Sequence, residues 1–288
     1  MATESAVPAH PPSPTLSSSS SNDAYELLPA LSYDPQSPSN PPPTSQDYPA
    51  QIAYWSTIPS TVDGMLGGYP QVSRADLQSS ANFLAKLQPQ MAVPAGGVRR
   101  GVDCGAGIGR ITKGLLTKLL DVVDVVEPVK KFTDELLLAS PELVAAGRIG
   151  EIFNQGLESW QPREDTYWII WNQWCLNHLT DTDLIAYLSR CARALTPTGM
   201  IIVKENNAST FVIGTSSVAP DDDRNDIFDP EDCSVTRSDA KFRRLFAAAG
   251  LLVVRSELQK GFPERLKLYP VRMYALRPAP APSQGSVE

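Results

Sequence analysis

Apolar positions along this chain change period repeatedly, and the changes mark out its elements. Short, nearly unbroken apolar runs at Gly101–Cys104, Val122–Val126, Ile149–Phe153, Tyr167–Trp171 and Met200–Lys204 read as buried strands. Two more are expected at Leu251–Glu257 and Leu268–Leu276. Between most of them the spacing widens to three or four residues, which predicts amphipathic helices over Arg110–Leu120, Val129–Leu138, Asp181–Ala194 and Ser238–Ala249. Another helix precedes the first strand. Ser73-x-x-Asp76 has the form of a capping box, and Leu77, Phe83, Leu84 and Leu87 supply the apolar face that follows. Gly199 and Gly250 sit where helices are expected to exit. Such alternation implies a mainly parallel sheet covered on both faces, a doubly wound α/β fold. The last two strands lack a helix between them, so an antiparallel pair is expected at one edge.

The periodicity fades at both ends. Residues 1–48 are dominated by Pro, Ser, Thr and Ala, and cannot bury enough apolar surface to offset the entropy of ordering. A disordered tail over 1–48, a folded domain over 49–277 and a short flexible tail over 278–288 are therefore expected. The 288 residues are 42% hydrophobic, enough for one sizeable core. Acidic residues outnumber basic ones, 32 to 25, which argues against a nucleic-acid groove and favours a cationic ligand or peptide. No apolar run is long enough for a membrane span, and no secretory signal is read. Cys104, Cys175, Cys191 and Cys233 show neither metal spacing nor a disulfide framework, so no metal is expected. A monomer in the cytoplasm, with the nucleus also open to it, is the expectation.

The densest chemical signal is Asp103-Cys104-Gly105-Ala106-Gly107-Ile108-Gly109-Arg110, a strand end, a glycine turn and a helix start. Glycines there let the backbone approach a ligand closely. The next strand ends on Glu127, and a carboxylate at that place suits the hydroxyls of a ribose. A nicotinamide cofactor would satisfy the same pair of features, but its pyrophosphate calls for Gly-x-Gly-x-x-Gly. The spacing here, Gly-x-Gly-x-Gly after an aspartate, suits a ligand without a pyrophosphate. His178 lies just beyond the Tyr167–Trp171 strand, in Trp171-Asn172-Gln173-Trp174-Cys175-Leu176-Asn177-His178. It is one of two histidines; the other, His10, falls in the expected tail. An imidazole titrating near neutrality suits proton acceptance.

These blocks, with Ile58-Pro59-Ser60-Thr61-Val62-Asp63-Gly64-Met65-Leu66-Gly67-Gly68-Tyr69 and the closing Tyr274-Ala275-Leu276-Arg277, resemble the protein N-terminal methyltransferase family. The resemblance covers about Tyr54 to Arg277. It implies a seven-stranded, Rossmann-like S-adenosylmethionine-dependent methyltransferase fold with an N-terminal helical extension. The implied activity is methylation of the α-amine of proteins beginning X-Pro-Lys or X-Pro-Arg after methionine removal. Carried over residue by residue, it places Gly105, Gly107, Arg110, Glu127, Gly156, Leu157, Glu158 and Gln173 at the cofactor. Arg110 would pair with its carboxylate and Leu157 would pack on its adenine; Glu127 stands where the family tends to carry aspartate, and Glu158 replaces a glutamine. His178 and Asp232 are the implied catalytic pair. Trp55 and Trp174 would wall the second-position proline, and Gly67 would let the substrate backbone approach. Asn206 would bond the first peptide carbonyl, Asp229 and Ser234 would take the third-position Lys or Arg, and Leu268 with Tyr269 would form a rim. The run Asp221 to Asp226 looks like an inserted, solvated loop. A same-fold enzyme acting on a small amine or a lysine side chain, and a non-catalytic adaptor working through the Pro/Ser tail, stay as alternatives.

Overall fold

The computed structural model describes residues 46–94, 96–208 and 226–280. His10, Asp221, Asp222 and Asp223, most of the expected N-terminal tail and the last eight residues lie outside them. Helices α1 (Tyr48–Thr57), α2 (Val62–Met65) and α3 (Ser73–Leu87) form the N-terminal extension. Strand β1 (Arg100–Cys104) follows; the helix after it passes through a π turn, Thr112–Leu116, into α4 (Thr117–Leu119). Then come β2 (Val122–Val126), α5 (Lys130–Leu138), α6 (Pro141–Ala145), β3 (Ile149–Phe153) and β4 (Tyr167–Gln173). The chain continues through α7 (Asp181–Ala194), β5 (Leu195–Asn206), β6 (Ile227–Asp229), β7 (Ser234–Thr236), α8 (Asp239–Ala248), β8 (Leu251–Leu258) and β9 (Val271–Pro278).

Among the described residues, seven strands form one sheet in the order β3-β2-β1-β4-β5-β9-β8. The first five are parallel, and β9 runs antiparallel between β5 and β8. The order reverses between β1 and β4, so the crevice at their carboxyl ends is where this architecture binds ligands. Both faces are covered. Helices α7 and α8 close one core around Trp160, Tyr187, Phe242, Phe246 and Tyr274, and α3 closes the other around Phe83, Leu87, Trp168 and Trp171.

Several expectations are corrected. The domain begins before residue 49: Gln46 donates to the carbonyls of Asn177 and Leu179, and Asp47 caps α1. At the other end β9 runs to Pro278, and Ala279 N–H bonds the Gly250 carbonyl at 2.8 Å. The last strand starts at Val271 rather than Leu268, because Pro270 has no N–H to give a ladder. β5 starts five residues earlier than expected, and Gly199 lies within it, at an irregularity in its pairing with β4, instead of ending a helix. A carbon added at Gly199 would lie 2.7 Å from the Tyr167 carbonyl oxygen. The hairpin β6–β7 was not expected at all, since strands of three residues carry no readable period.

The capping box at Ser73 is also corrected. Ser73 is the first helical residue, the N-cap is Val72 without a side-chain bond, and Asp76 is fully buried. Its carboxylate meets the Lys204 ammonium at 2.5 Å and accepts from Arg110 at 2.7 Å and from Gln173 at 2.9 and 3.0 Å. Helix α3 is thus bolted to the ends of β4 and β5 by charge. The two roles differ in magnitude. Losing a cap costs about 1 kcal/mol, whereas removing one member of a buried ion pair costs about 3–5 kcal/mol. Asp76→Ala is expected to fall in the larger range by urea unfolding; a loss near 1 kcal/mol would restore the capping role.

Candidate active site

The carboxyl ends of the five parallel strands β1 to β5 lie on one edge of the sheet. After β1 the chain turns through Gly105, Gly107 and Gly109 with φ of +65°, +55° and +69°. Side chains there are excluded by neighbours as well as by φ: an added carbon at Gly105 would lie 2.5 Å from Cys175 Cβ, and at Gly107 2.5 Å from Met65 Sδ. Asp103, 2% exposed, accepts from Thr112 N–H at 2.9 Å and from its hydroxyl at 2.6 Å, tying the strand to the helix across the glycine turn. Burial raises its carboxyl to about 6. Glu127, at the end of β2, accepts from Gly107 N–H at 2.9 Å and Val129 N–H at 2.8 Å. Burial pushes it up to about 7.

Arg110 and Gln173 meet on Asp76, and the Arg110 guanidinium lies over the Trp174 ring, 5.6 Å from its centroid. Burial works to raise Asp76, but the charges of Lys204 and Arg110 outweigh it and hold the carboxylate below its usual range. Burial also lowers Lys204 to about 8. Gly156, Leu157 and Glu158 follow β3 as expected, but the Leu157 side chain sits in the main core and the Glu158 carboxylate folds back to Gly156. Arg190 holds that turn by donating to the carbonyls of Leu157, Glu158 and Trp160 at 2.9, 3.0 and 3.0 Å.

On the other side of the crevice, the turn Cys175–Leu179 carries His178. Trp174, just before it, has φ +54°, a strained value for a non-glycine residue. Glu205 clamps the turn by accepting from the N–H groups of Cys175 and Leu176, both at 2.8 Å, and burial lifts its carboxyl to about 7. Arg237, 1% exposed, donates to the carbonyls of Leu176 and Leu179. His178 Nε2 faces Asp232 Oδ2 across 3.9 Å, with the Trp55 ring edge-on to the imidazole at 5.9 Å. Burial holds His178 below its ordinary value, outweighing the raising pull of Asp232 and Asp229. The neutral imidazole is a proton acceptor. Among the described residues, His178 Nδ1 and Trp174 Nε1 are buried without a hydrogen-bond partner.

The β6–β7 hairpin brings the acids in. Asp229 pairs with Ser234 across it, and Asp232 Oδ1 accepts from Ser234 N–H at 3.0 Å. Tyr269 is raised by burial and by the charge of Asp229, and it lies off the strand, as does Leu268. Asn206 ends β5, paired in register with Val271, and Gly67 is exposed at φ +55° after α2. The structure therefore gathers Trp55, His178 and Asp232 directly and puts Asp229, Ser234 and Tyr269 on one acidic wall. It groups Arg110, Gln173 and Trp174 on the other side. Sequence reasoning missed Tyr54, raised by burial and by Glu231, Asp232 and Asp229, and it missed Asp76, Gln46, Gln51, Arg190 and Arg237.

The profile of AdoMet dependent proline di-methyltransferases matches residues 44–277. Alpha N-terminal protein methyltransferase 1 of Schizosaccharomyces pombe is 43% identical over 233 residues, covering 80% of this chain and 96% of that protein. N-terminal Xaa-Pro-Lys N-methyltransferase 1 of Danio rerio is 41% identical over 224 residues, 78% of this chain and 92% of its own length. A solved SAM-dependent methyltransferase of Leishmania major is 38% identical, with a TM-score of 0.68 and coverage of 80% and 82%.

Glu127 and Glu205 titrate near 7 in the folded chain against an ordinary value of 4.5. The folded state holds protons that the unfolded chain releases, so their stabilisation is complete below about 4.5 and is lost as pH rises through about 7. His178, lowered, acts in the opposite sense beneath 6.5. Glu205→Gln is expected to flatten the decline in melting temperature between pH 5 and pH 8. A wild-type decline that the variant reproduces in full would show that Glu205 does not titrate in this window.

Proposed function

The chain belongs to the AdoMet-dependent proline di-methyltransferase family, and from that premise we propose that it methylates the α-amine of proteins beginning X-Pro-Lys or X-Pro-Arg once the initiator methionine is gone. The observation that carries this reading is the neutral imidazole of His178 facing Asp232 across 3.9 Å, with the Trp55 indole beside it, at the carboxyl ends of the parallel strands. A lone acid or a lone histidine would not select an amine. This pair attracts an ammonium and then accepts its proton.

The residues suit S-adenosylmethionine. The glycine turn leaves its Cβ positions to Cys175 and Met65, a buried carboxylate ends β2, and a guanidinium braced on Asp76 is available for a ligand carboxylate. Gly105, Gly107, Arg110, Glu127, Gln173 and the Gly156–Glu158 turn would hold it. When bound, its sulfonium supplies the methyl group.

The protein's own contribution is alignment and proton removal. A free α-amine has an ordinary pKa of about 7.7–8.0, so roughly a tenth is already neutral at pH 7. Asp232 draws the ammonium in and His178 takes the proton, leaving the nitrogen lone pair free for the methyl group that the bound sulfonium would supply. Trp55 and Trp174 wall the proline ring, Asn206 takes the first peptide carbonyl, Gly67 admits the backbone, and Asp229 and Ser234 receive the third-position cation with Leu268 and Tyr269 at the rim. Up to three methyls follow, or two when proline is first. The acidic balance of the chain, 32 acidic against 25 basic residues, suits a cationic third position, and the chain is proposed to act as a monomer in the cytoplasm and nucleus.

Mass spectrometry of an Ala-Pro-Lys peptide should show methyl addition, and acetyl-Ala-Pro-Lys should show none. Methylation of the blocked peptide would move the acceptor to lysine and end this reading. Replacing the third-position Lys by Glu should abolish transfer. His178→Ala and Asp232→Ala are each expected to lower kcat about a hundredfold or more, with calorimetric affinity for S-adenosylhomocysteine within a few-fold of wild type. The kcat/KM profile should rise below pH 6.5, as the lowered His178 imidazole becomes neutral, and fall above about 8, as the free peptide amine loses the proton that Asp232 recognises.

A further inference from the structure

Helix α1 carries one buried residue, and it is a glutamine. The Gln51 Nε2 group donates to the His178 carbonyl at 3.0 Å and to the Cys233 carbonyl at 2.9 Å, using both hydrogens of its amide. One of those carbonyls belongs to the residue bearing the imidazole. The other belongs to the residue that follows Asp232. Cys233 has φ +55°, so the hairpin turns at the residue whose carbonyl accepts from Gln51. One turn along α1, Trp55 lies edge-on to the His178 ring, so the same helix face meets His178 at its backbone and at its side chain. An apolar side chain would serve packing alone; an amide here joins two loops.

We propose that Gln51 is a positioning residue that sets the separation between His178 and Asp232. The proposal rests on the assignment of those two residues as the proton-handling pair. His178 and Asp232 sit 3.9 Å apart, too far for a hydrogen bond of their own, so their spacing is imposed by what holds their backbones. Arg237 also ties the hairpin strand to the histidine turn, but through Leu176 and Leu179 rather than through His178 itself. Losing Gln51 therefore loosens the pair while the loops stay attached.

The test uses the full chain with Gln51→Leu and Gln51→Glu, which remove the donors, and Gln51→Lys, whose ammonium restores them. Turnover of an Ala-Pro-Lys peptide is expected to fall between about tenfold and a hundredfold in the first two. Affinity for S-adenosylhomocysteine should stay within threefold, and the lysine variant should recover most of the loss. A spectroscopic readout is independent of turnover. In a His10→Ala background His178 is the single imidazole, and its titration by NMR should move to lower pH in Gln51→Leu. The charged groups facing it, Asp232 and Asp229, would then be drawn away. If the branched leucine prevents folding, Gln51→Met is read by the same measurements. Folded Gln51 variants with wild-type turnover and an unmoved His178 titration overturn the proposal. If His178→Ala and Asp232→Ala themselves leave turnover intact, the underlying assignment has failed instead, and the two failures are told apart.

Discussion

The backbone carbonyls of the short turn from Leu176 to Leu179 shape the acceptor side of this molecule. A turn at a sheet's switch point has no neighbouring strand to satisfy it, and buried carbonyls must be paired. Here side chains from distant segments do so: Arg237 takes Leu176 and Leu179, Gln46 takes Asn177 and Leu179, and Gln51 takes His178. Glu205 answers the N–H groups of the same turn. The imidazole is thus aimed by four side chains that touch neither ring nitrogen. The N-terminal extension, β5 and β7 become parts of one scaffold because the turn requires all of them.

The cofactor side follows a different rule. Its precision comes from removing side chains at Gly105 and Gly107 and from one buried carboxylate, Asp76, that collects Lys204, Arg110 and Gln173. Two cations on one anion leave Arg110 with donors to spare. The extension closes over this side too, since Trp55, Ile58 and Met65 pack on Ile108, Val129 and Phe132, and Lys131 donates to the carbonyls of Ser56 and Ile58. Trp55 is therefore shared, touching the cofactor-side cluster and the histidine at once.

The sheet was legible because its strands are short, nearly unbroken apolar runs separated by helical spacing, and the pattern matches α7 to the residue, Asp181–Ala194. The glycine turn was legible because positive φ leaves a compositional mark. What escaped was polar and long-range. Asp76 sits three residues after a serine, which is the signature of a cap; only the arrival of Lys204, 128 residues later in the chain, turns it inward. Gln46 and Gln51 are neutral, aperiodic residues, and nothing local distinguishes a glutamine that bridges two loops from one in water. Leu268 and Tyr269 looked like strand because they are apolar, and Pro270 denied them a ladder. Leu157, read as an adenine contact, also belongs to the main core.

The place of β9 has a consequence for how this protein is made. Val271–Pro278 follows every other described element, yet it fills the gap between β5 and β8 and carries Tyr274 into the aromatic cluster with Phe242 and Phe246. A chain emerging from the ribosome can assemble its five parallel strands early, but β5 and β8 must wait with open hydrogen-bonding edges. Synthesis and completion of the sheet are thereby coupled, and a nascent chain halted before this strand would present β5 as a template for unwanted pairing.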